Sequence, residues 1–160
     1  MKIEIFKADY LDPKQAKDLG ELLNLYSEDP MGGGNSLSDD IKNKLATELS
    51  KLPNAFSVLC YVDDKPAGLV NCFIGFSTFK CKPLINIHDV VVIAESRGLR
   101  LSQKMLEEVE RIAKENGCCK ITLEVLEGNT VAKGAYEKFG FSGYELDPSM
   151  GKTLFWEKVL

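Results

Sequence analysis

The run from Asp89 to Phe141 limits what this chain can fold into more than any other stretch. Ile87-His88-Asp89-Val90-Val91-Val92-Ile93 reads as a strand, being short, apolar and rich in β-branched residues. A turn follows, Ala94-Glu95-Ser96-Arg97-Gly98, and then a long amphipathic helix. The helix pattern buries Leu101, Met105, Val109 and Ile112 and turns Lys104, Glu107, Glu108, Arg111 and Lys114 to water. Asn116-Gly117 stops it. A second strand over 120–126 is the expected parallel partner of the first. Beyond it come Asn129, Tyr136 seven residues later, and Gly140-Phe141. This order places a helix N-terminus, with its unpaired backbone N–H groups, at the end of a strand, where an anion such as a pyrophosphate can be held. Gly98 allows the backbone to approach such a group without a Cβ in the way. The helix dipole adds roughly 0.3–1 kcal/mol.

Strand, Arg-Gly turn, helix, strand and then Asn-x6-Tyr-x3-Gly-Phe resembles the core of the GNAT superfamily of acyl-CoA-dependent acyltransferases. Asp29-Pro30-Met31-Gly32-Gly33-Gly34, with Phe76-Ser77-Thr78-Phe79 and Asn86-Ile87-His88-Asp89 downstream, is similar to a bacterial-type GNAT subgroup. The resemblance spans nearly the whole chain in element order and is motif-specific from about Asn86 to Phe141. It implies a mixed α/β fold, a central twisted sheet of six to seven strands flanked by about four helices, as a single domain over 1–160. It also implies acetyl-CoA as co-substrate and no metal. The coenzyme contacts it implies are the turn Arg97, Gly98, Leu99, Arg100, Leu101 and Ser102, the strand Val90, Val91 and Val92, and Asn129 with Ala132. The superfamily turn reads Arg/Gln-x-x-Gly-x-Gly/Ala, so Arg100 and Ser102 stand where small residues are usual. A helical backbone at Arg100 would tolerate the side chain, and the guanidinium could itself pair with a phosphate.

Within the resemblance, Tyr136 lies near the coenzyme sulfur and can protonate the leaving thiolate; packing of helix on sheet is its other reading. Asn129 is also among the best N-cap residues, and both roles can hold together. His88 is the single histidine, imidazole is the side chain whose chemistry suits a base near neutral pH, and within the resemblance it sits where some GNAT amine acetyltransferases carry a histidine. A half-buried histidine satisfied by a carbonyl is the alternative. Asn86 has the parity of His88 and Asp89 the opposite parity. The glycines Gly32 and Gly33, in a segment without the Lys-Ser/Thr ending of a P-loop, fall where GNAT folds border the acceptor. With Asn86 they are the expected acceptor-side residues.

The remaining chain agrees with this frame. Ile3 and Ile5 mark a first strand, and Ala16, Leu19, Leu22, Leu23 and Tyr26 recur at helical spacing from Pro13. Ser38 caps a second helix carrying Ile41, Leu45, Leu49 and Leu52. Residues 56–62 and 67–78 read as strands joined by a hairpin turn, Asp63-Asp64-Lys65-Pro66, and Thr153 to Val159 as a last strand with Leu154 and Trp156 on one side. With 20 basic and 24 acidic residues and no Lys/Arg cluster, nothing builds a nucleic-acid face. No apolar run approaches 18 residues and no signal-peptide pattern opens the chain, so a cytoplasmic protein off the membrane is expected. The five cysteines, odd in number and without CxxC spacing, are expected as thiols. The function expected is N-acetyl transfer from acetyl-CoA to a small-molecule or peptide primary amine, by direct attack in a ternary complex, in a monomer or homodimer. The competing class is a catalytically inactive GNAT-fold module that binds coenzyme A or senses a ligand.

Overall fold

The computed structural model describes residues 1–144 and 146–160. Five strands lie side by side in chain order: β1 (Ile3–Lys7), β2 (Ala55–Val62), β3 (Lys65–Ser77), β4 (Lys82–Val92) and β5 (Ile121–Leu123). The first four pair antiparallel, and β5 joins β4 in parallel. The helices are α1 (Pro13–Glu28), α2 (Asp39–Ser50), α3 (Leu101–Glu115) and α4 (Thr130–Phe139). The expected cap operates, Ser38 accepting from the Ile41 N–H at 3.3 Å, and at α1 Asp12 accepts from the Gln15 N–H at 2.9 Å.

Strand alternation sorts the apolar residues onto two faces. Val58, Cys60, Val70, Cys72, Ile85 and Ile87 pack with Leu101, Met105 and Val109 of α3. Leu59, Tyr61, Leu69 and Val91 pack with Leu19 and Leu22 of α1 and Leu49 of α2. The parity of β4 changes midway. Asn71 pairs with Asp89, but its neighbour Cys72 pairs with Ile87, which leaves His88 as the extra residue of a β-bulge. Before the bulge the odd residues Ile85 and Ile87 face α3; after it Val90 and Val92 do, and Val91 turns to α1.

Two expectations fail. The sheet has five strands among the described residues, not six or seven. Thr153 to Val159 carries no regular structure, and every residue from 151 to 160 is exposed. A strand exists through its ladder partners, and this segment has none here. Among the described residues no helix is long and apolar enough to cross a membrane. All five cysteines are free thiols.

Candidate active site

The two halves of β4 differ in their neighbours. Ile85–Ile87 is paired on both sides, but β5 ends at Leu123 opposite Ile87, so residues 88–92 keep only β3. The Ile93 N–H bonds the Ala67 carbonyl at 3.0 Å, which fixes the phase of the ladder. Odd residues of this half turn their backbone groups to β3, and those of Val90 and Val92 point into the gap that β5 leaves. Val91 is the correction: its backbone belongs to the β3 side and its side chain is 4% exposed in the core. Val90 and Val92 therefore present free backbone groups to the gap, and those of Val91 are used by β3.

The gap leads to the start of α3. Gly98, at φ 87°, has open space where a Cβ would stand. Arg97 closes the 3-10 turn of Ala94–Ser96, and Leu99 packs partly against the α3 core. Arg100 is the N-cap of α3 and contributes no side-chain cap. Contrary to the helical backbone expected for it, Arg100 lies in the left-handed region, φ 58° and ψ 32°. For an L side chain that costs roughly 1–2 kcal/mol. The first intrahelical bond runs from the Lys104 N–H to the Arg100 carbonyl, so the N–H groups of Leu101, Ser102 and Gln103 have no partner in the helix. Leu101 itself is buried, so only its backbone is available. Open space at Gly98, unpartnered N–H groups and the cationic Arg100 together fit a pyrophosphate.

On the α1 face a hydrogen-bonded chain crosses three strands. The Ser57 hydroxyl donates to Asn71 Oδ1 at 2.6 Å, and Asn71 Nδ2 donates to Asp89 Oδ2 at 3.0 Å. Because Ser57 spends its proton on Asn71, the Tyr10 hydroxyl, 2.8 Å away, must be the donor to Ser57. His88 Nδ1 lies 3.2 Å from the same Asp89 oxygen, and the two side chains are 67% and 13% exposed. A carboxylate only accepts, so Nδ1 carries the proton and Nε2 is left with its lone pair toward solvent. The imidazole edge rests on Phe73 at 5.9 Å. Asp89 was expected on the opposite face from His88; the bulge overturns that by adding one residue to the alternation. Asn86, the cross-strand partner of Phe73, donates instead to Thr122 Oγ1 at 2.9 Å and ties β4 to β5.

Tyr136 packs against the α3-face cluster, with its ring edge to Phe141 at 5.9 Å. Burial pushes its hydroxyl up to about 12, and Tyr26 of α1 adds to the rise. Burial also raises the Tyr26 hydroxyl, followed by the Asp89 and Asp29 carboxylates. Tyr26 itself belongs to the opposite face of the sheet. Asn129 accepts from the Ala132 N–H at 3.2 Å, so the cap role is filled and that donor is occupied. The carbonyl of Ala135 accepts from Gln103 at 2.9 Å, which fixes α4 to α3.

The glycines beyond α1 have structural duties. A Cβ on Gly32 would stand 1.9 Å from the Tyr26 carbonyl oxygen, so only glycine fits against the last turn of α1. Gly33, at φ 111°, lies in open space. Leu37 N–H to Asn24 Oδ1 at 2.8 Å and Ser36 to Glu28 at 2.7 Å fasten the loop to α1 beside Tyr26. Asp89, Asn71, Ser57, Tyr10 and Tyr26 were not among the expected site residues. A signal existed for the first three. Each is a polar residue inside an otherwise apolar strand, where burial demands a partner.

A model of the acetyltransferase (GNAT) family matches residues 19–141. The backbone is similar to that of a probable acetyltransferase, with 20% identity, 98% of each chain covered and a TM-score of 0.82. It also resembles an aminoglycoside acetyltransferase from an uncultured soil metagenomic sample, solved with sisomicin: 15% identity, 99% of this chain and 96% of that one covered, TM-score 0.79. A third similar structure is AAC(6')-Iy in complex with the bisubstrate analogue CoA-S-monomethyl-acetylneamine, at 15% identity, all of both chains covered and a TM-score of 0.77.

Proposed function

The chain belongs to the GNAT acetyltransferase family, and from that premise we propose that it moves an acetyl group from acetyl-CoA to a primary amine by direct attack in a ternary complex. The observation that carries this is the gap beyond the end of β5. Val90 and Val92 present free backbone groups to it, and the His88–Asp89 pair lies on the same unpaired half of β4. When bound, acetyl-CoA supplies the acyl group and the leaving thiolate. The turn Gly98–Ser102 holds its phosphates through backbone N–H groups, and Arg100 adds charge. The backbone N–H groups of Val90 and Val92 bind the pantetheine and polarise the reacting carbonyl.

His88 Nε2 accepts the amine proton, with Asp89 fixing the tautomer and Asn71, Ser57 and Tyr10 fixing Asp89. Tyr136, pushed up to about 12, stays protonated at neutral pH. It is a weaker acid than a thiol of pKa about 8.5, so its contribution is a hydrogen bond to the departing sulfur, not complete proton transfer. Tyr26, Gly32 and Gly33 border the acceptor side.

Calorimetric titration with acetyl-CoA, followed by thiol release over a panel of primary amines, tests the reading. Micromolar binding and amine-dependent release are expected. Absence of binding at millimolar acetyl-CoA would sink it. A second reading, a module that binds coenzyme A without turnover, draws on Arg100 in a left-handed turn; binding without release for any amine would favour it.

A further inference from the structure

The α1 face of the sheet carries a second opening, at the end of β4 where the chain leaves for α3. Asp63 and Asp64 both take positive φ, 48° and 63°, which closes the β2–β3 hairpin tightly and starts β3 at Lys65. The Ile93 N–H bonds the Ala67 carbonyl, so the 3-10 turn Ala94–Ser96 begins next to that hairpin. Glu21 and Leu25, four residues apart on α1, close a third side. Together these elements enclose a cavity of about 640 Å³, a volume within the range of small-molecule sites.

Its lining suits one class of ligand. Leu25 is 51% exposed and, with Pro66 and Ile93, gives the cavity an apolar wall. Glu21, Asp63 and Glu95 bring three carboxylates against the single ammonium of Lys65. Glu21 meets Lys42 only at 3.7 Å, and Asp63 accepts from the Lys2 N–H through Oδ1 alone, so negative charge is left for a ligand. Among the described residues no acidic, histidine or cysteine side chains are grouped to hold a metal ion, which leaves an organic cation. Ser96 is the independent sign of a ligand. It is 7% exposed, its N–H is spent on the Ile93 carbonyl at 3.1 Å, and its hydroxyl has no hydrogen-bond partner among the described residues. None of their buried side-chain oxygens is both unpartnered and sealed from solvent, so this hydroxyl opens on space, and the cavity is the space Ser96 lines. We propose that the cavity binds a small organic cation, an ammonium on an apolar body, its N–H donated to the Ser96 hydroxyl and its charge met by Glu95 and Glu21. None of the lining residues is assigned to acetyl transfer, so the site stands or falls apart from that activity.

N,N-Dimethylbenzylamine is a suitable probe, because it is cationic at neutral pH, carries an aromatic body and, as a tertiary amine, cannot form an amide. Titrated into the isotope-labelled full chain, it should move the amide NMR signals of Leu25, Lys65, Ala67 and Ser96 with a millimolar dissociation constant. Those of Gly32 and His88, on the acceptor side, should stay in place. Benzoate, of similar size and opposite charge, should move none of them. Ser96→Tyr fills the cavity and should abolish the response. Glu95→Lys, an exposed change, should weaken binding about fivefold with the α3 amide pattern unchanged, which separates a lost site from a lost fold. The absence of a saturable shift at millimolar probe overturns the proposal, as do shifts centred on Gly32 and His88 or an equal response to benzoate. A response that survives Ser96→Tyr, or an affinity untouched by Glu95→Lys, overturns it as well.

Discussion

The two faces of the sheet are built on different principles. The α3 face is apolar throughout: Val58, Val70, Ile85 and Ile87 meet Met105 and Val109 without a buried polar group among them. The α1 face carries Ser57, Asn71 and Asp89 across adjacent strands, with Ser57 and Asn71 buried and each hydrogen-bonded. Burying polar groups contributes little net stability even when they are paired, and costs about 1–3 kcal/mol per group when a partner is removed. The α3 face contributes apolar packing alone, and the α1 face, beside an apolar cluster of its own, also holds His88 in one tautomer. The β-bulge is where the two designs are joined, since it turns Asp89 toward the polar side while Val90 and Val92 return to the apolar one.

His88→Ala offers the strongest test of this contrast. His88 is exposed, so the melting temperature should hold while kcat falls about 10²- to 10⁴-fold. Asp89→Asn should lower kcat with little change in acetyl-CoA affinity, and combining the two should add almost nothing. Additive losses would show that Asp89 does not work through the imidazole. Met105→Ala makes the opposite prediction. It empties a fully buried site on the α3 face and should cost about 2–5 kcal/mol in denaturant unfolding, with kcat per folded molecule kept. A large fall in kcat there would erase the distinction between the faces.

Tyr136→Phe should reduce kcat about tenfold, the equivalent of one hydrogen bond of about 1.4 kcal/mol, and leave the acetyl-CoA dissociation constant unchanged. Tyr136 also governs alkaline stability. Its folded pKa, about 12, is above the ordinary value of 10.0. The folded state thus keeps a proton that the unfolded state loses, and stability present below pH 10 disappears as pH rises toward 12. Thermal melts across that window should fall, and less steeply in Tyr136→Phe. Cys60, raised by burial to about 11 from 9.0, acts in the same direction from a lower pH. Arg100→Gly has the smallest expected effect. Relieving the left-handed backbone should stabilise the chain by up to about 1 kcal/mol, read as a melting shift of a few degrees. If acetyl-CoA affinity drops in the same variant, the guanidinium contributes to the phosphate site.

Local chemistry alone determined much of this protein. Asp12 and Ser38 set helix starts, Asn116-Gly117 ended α3, and Met105 and Val109 recur at a spacing that makes one apolar face. The Arg-Gly turn and Asn129 to Phe141 marked the family, because each is a contiguous stretch whose meaning needs no distant partner. Three things needed the tertiary structure. The β-bulge at His88 arises only where β3 and β4 align, so uninterrupted alternation put Asp89 on the wrong face. The left-handed backbone of Arg100 follows from how the strand end meets α3, a constraint that a side chain's identity does not announce. And 153–160, a strand by composition, has none of the pairing that would make it one, because a ladder is a property of two segments and a sequence displays them one at a time.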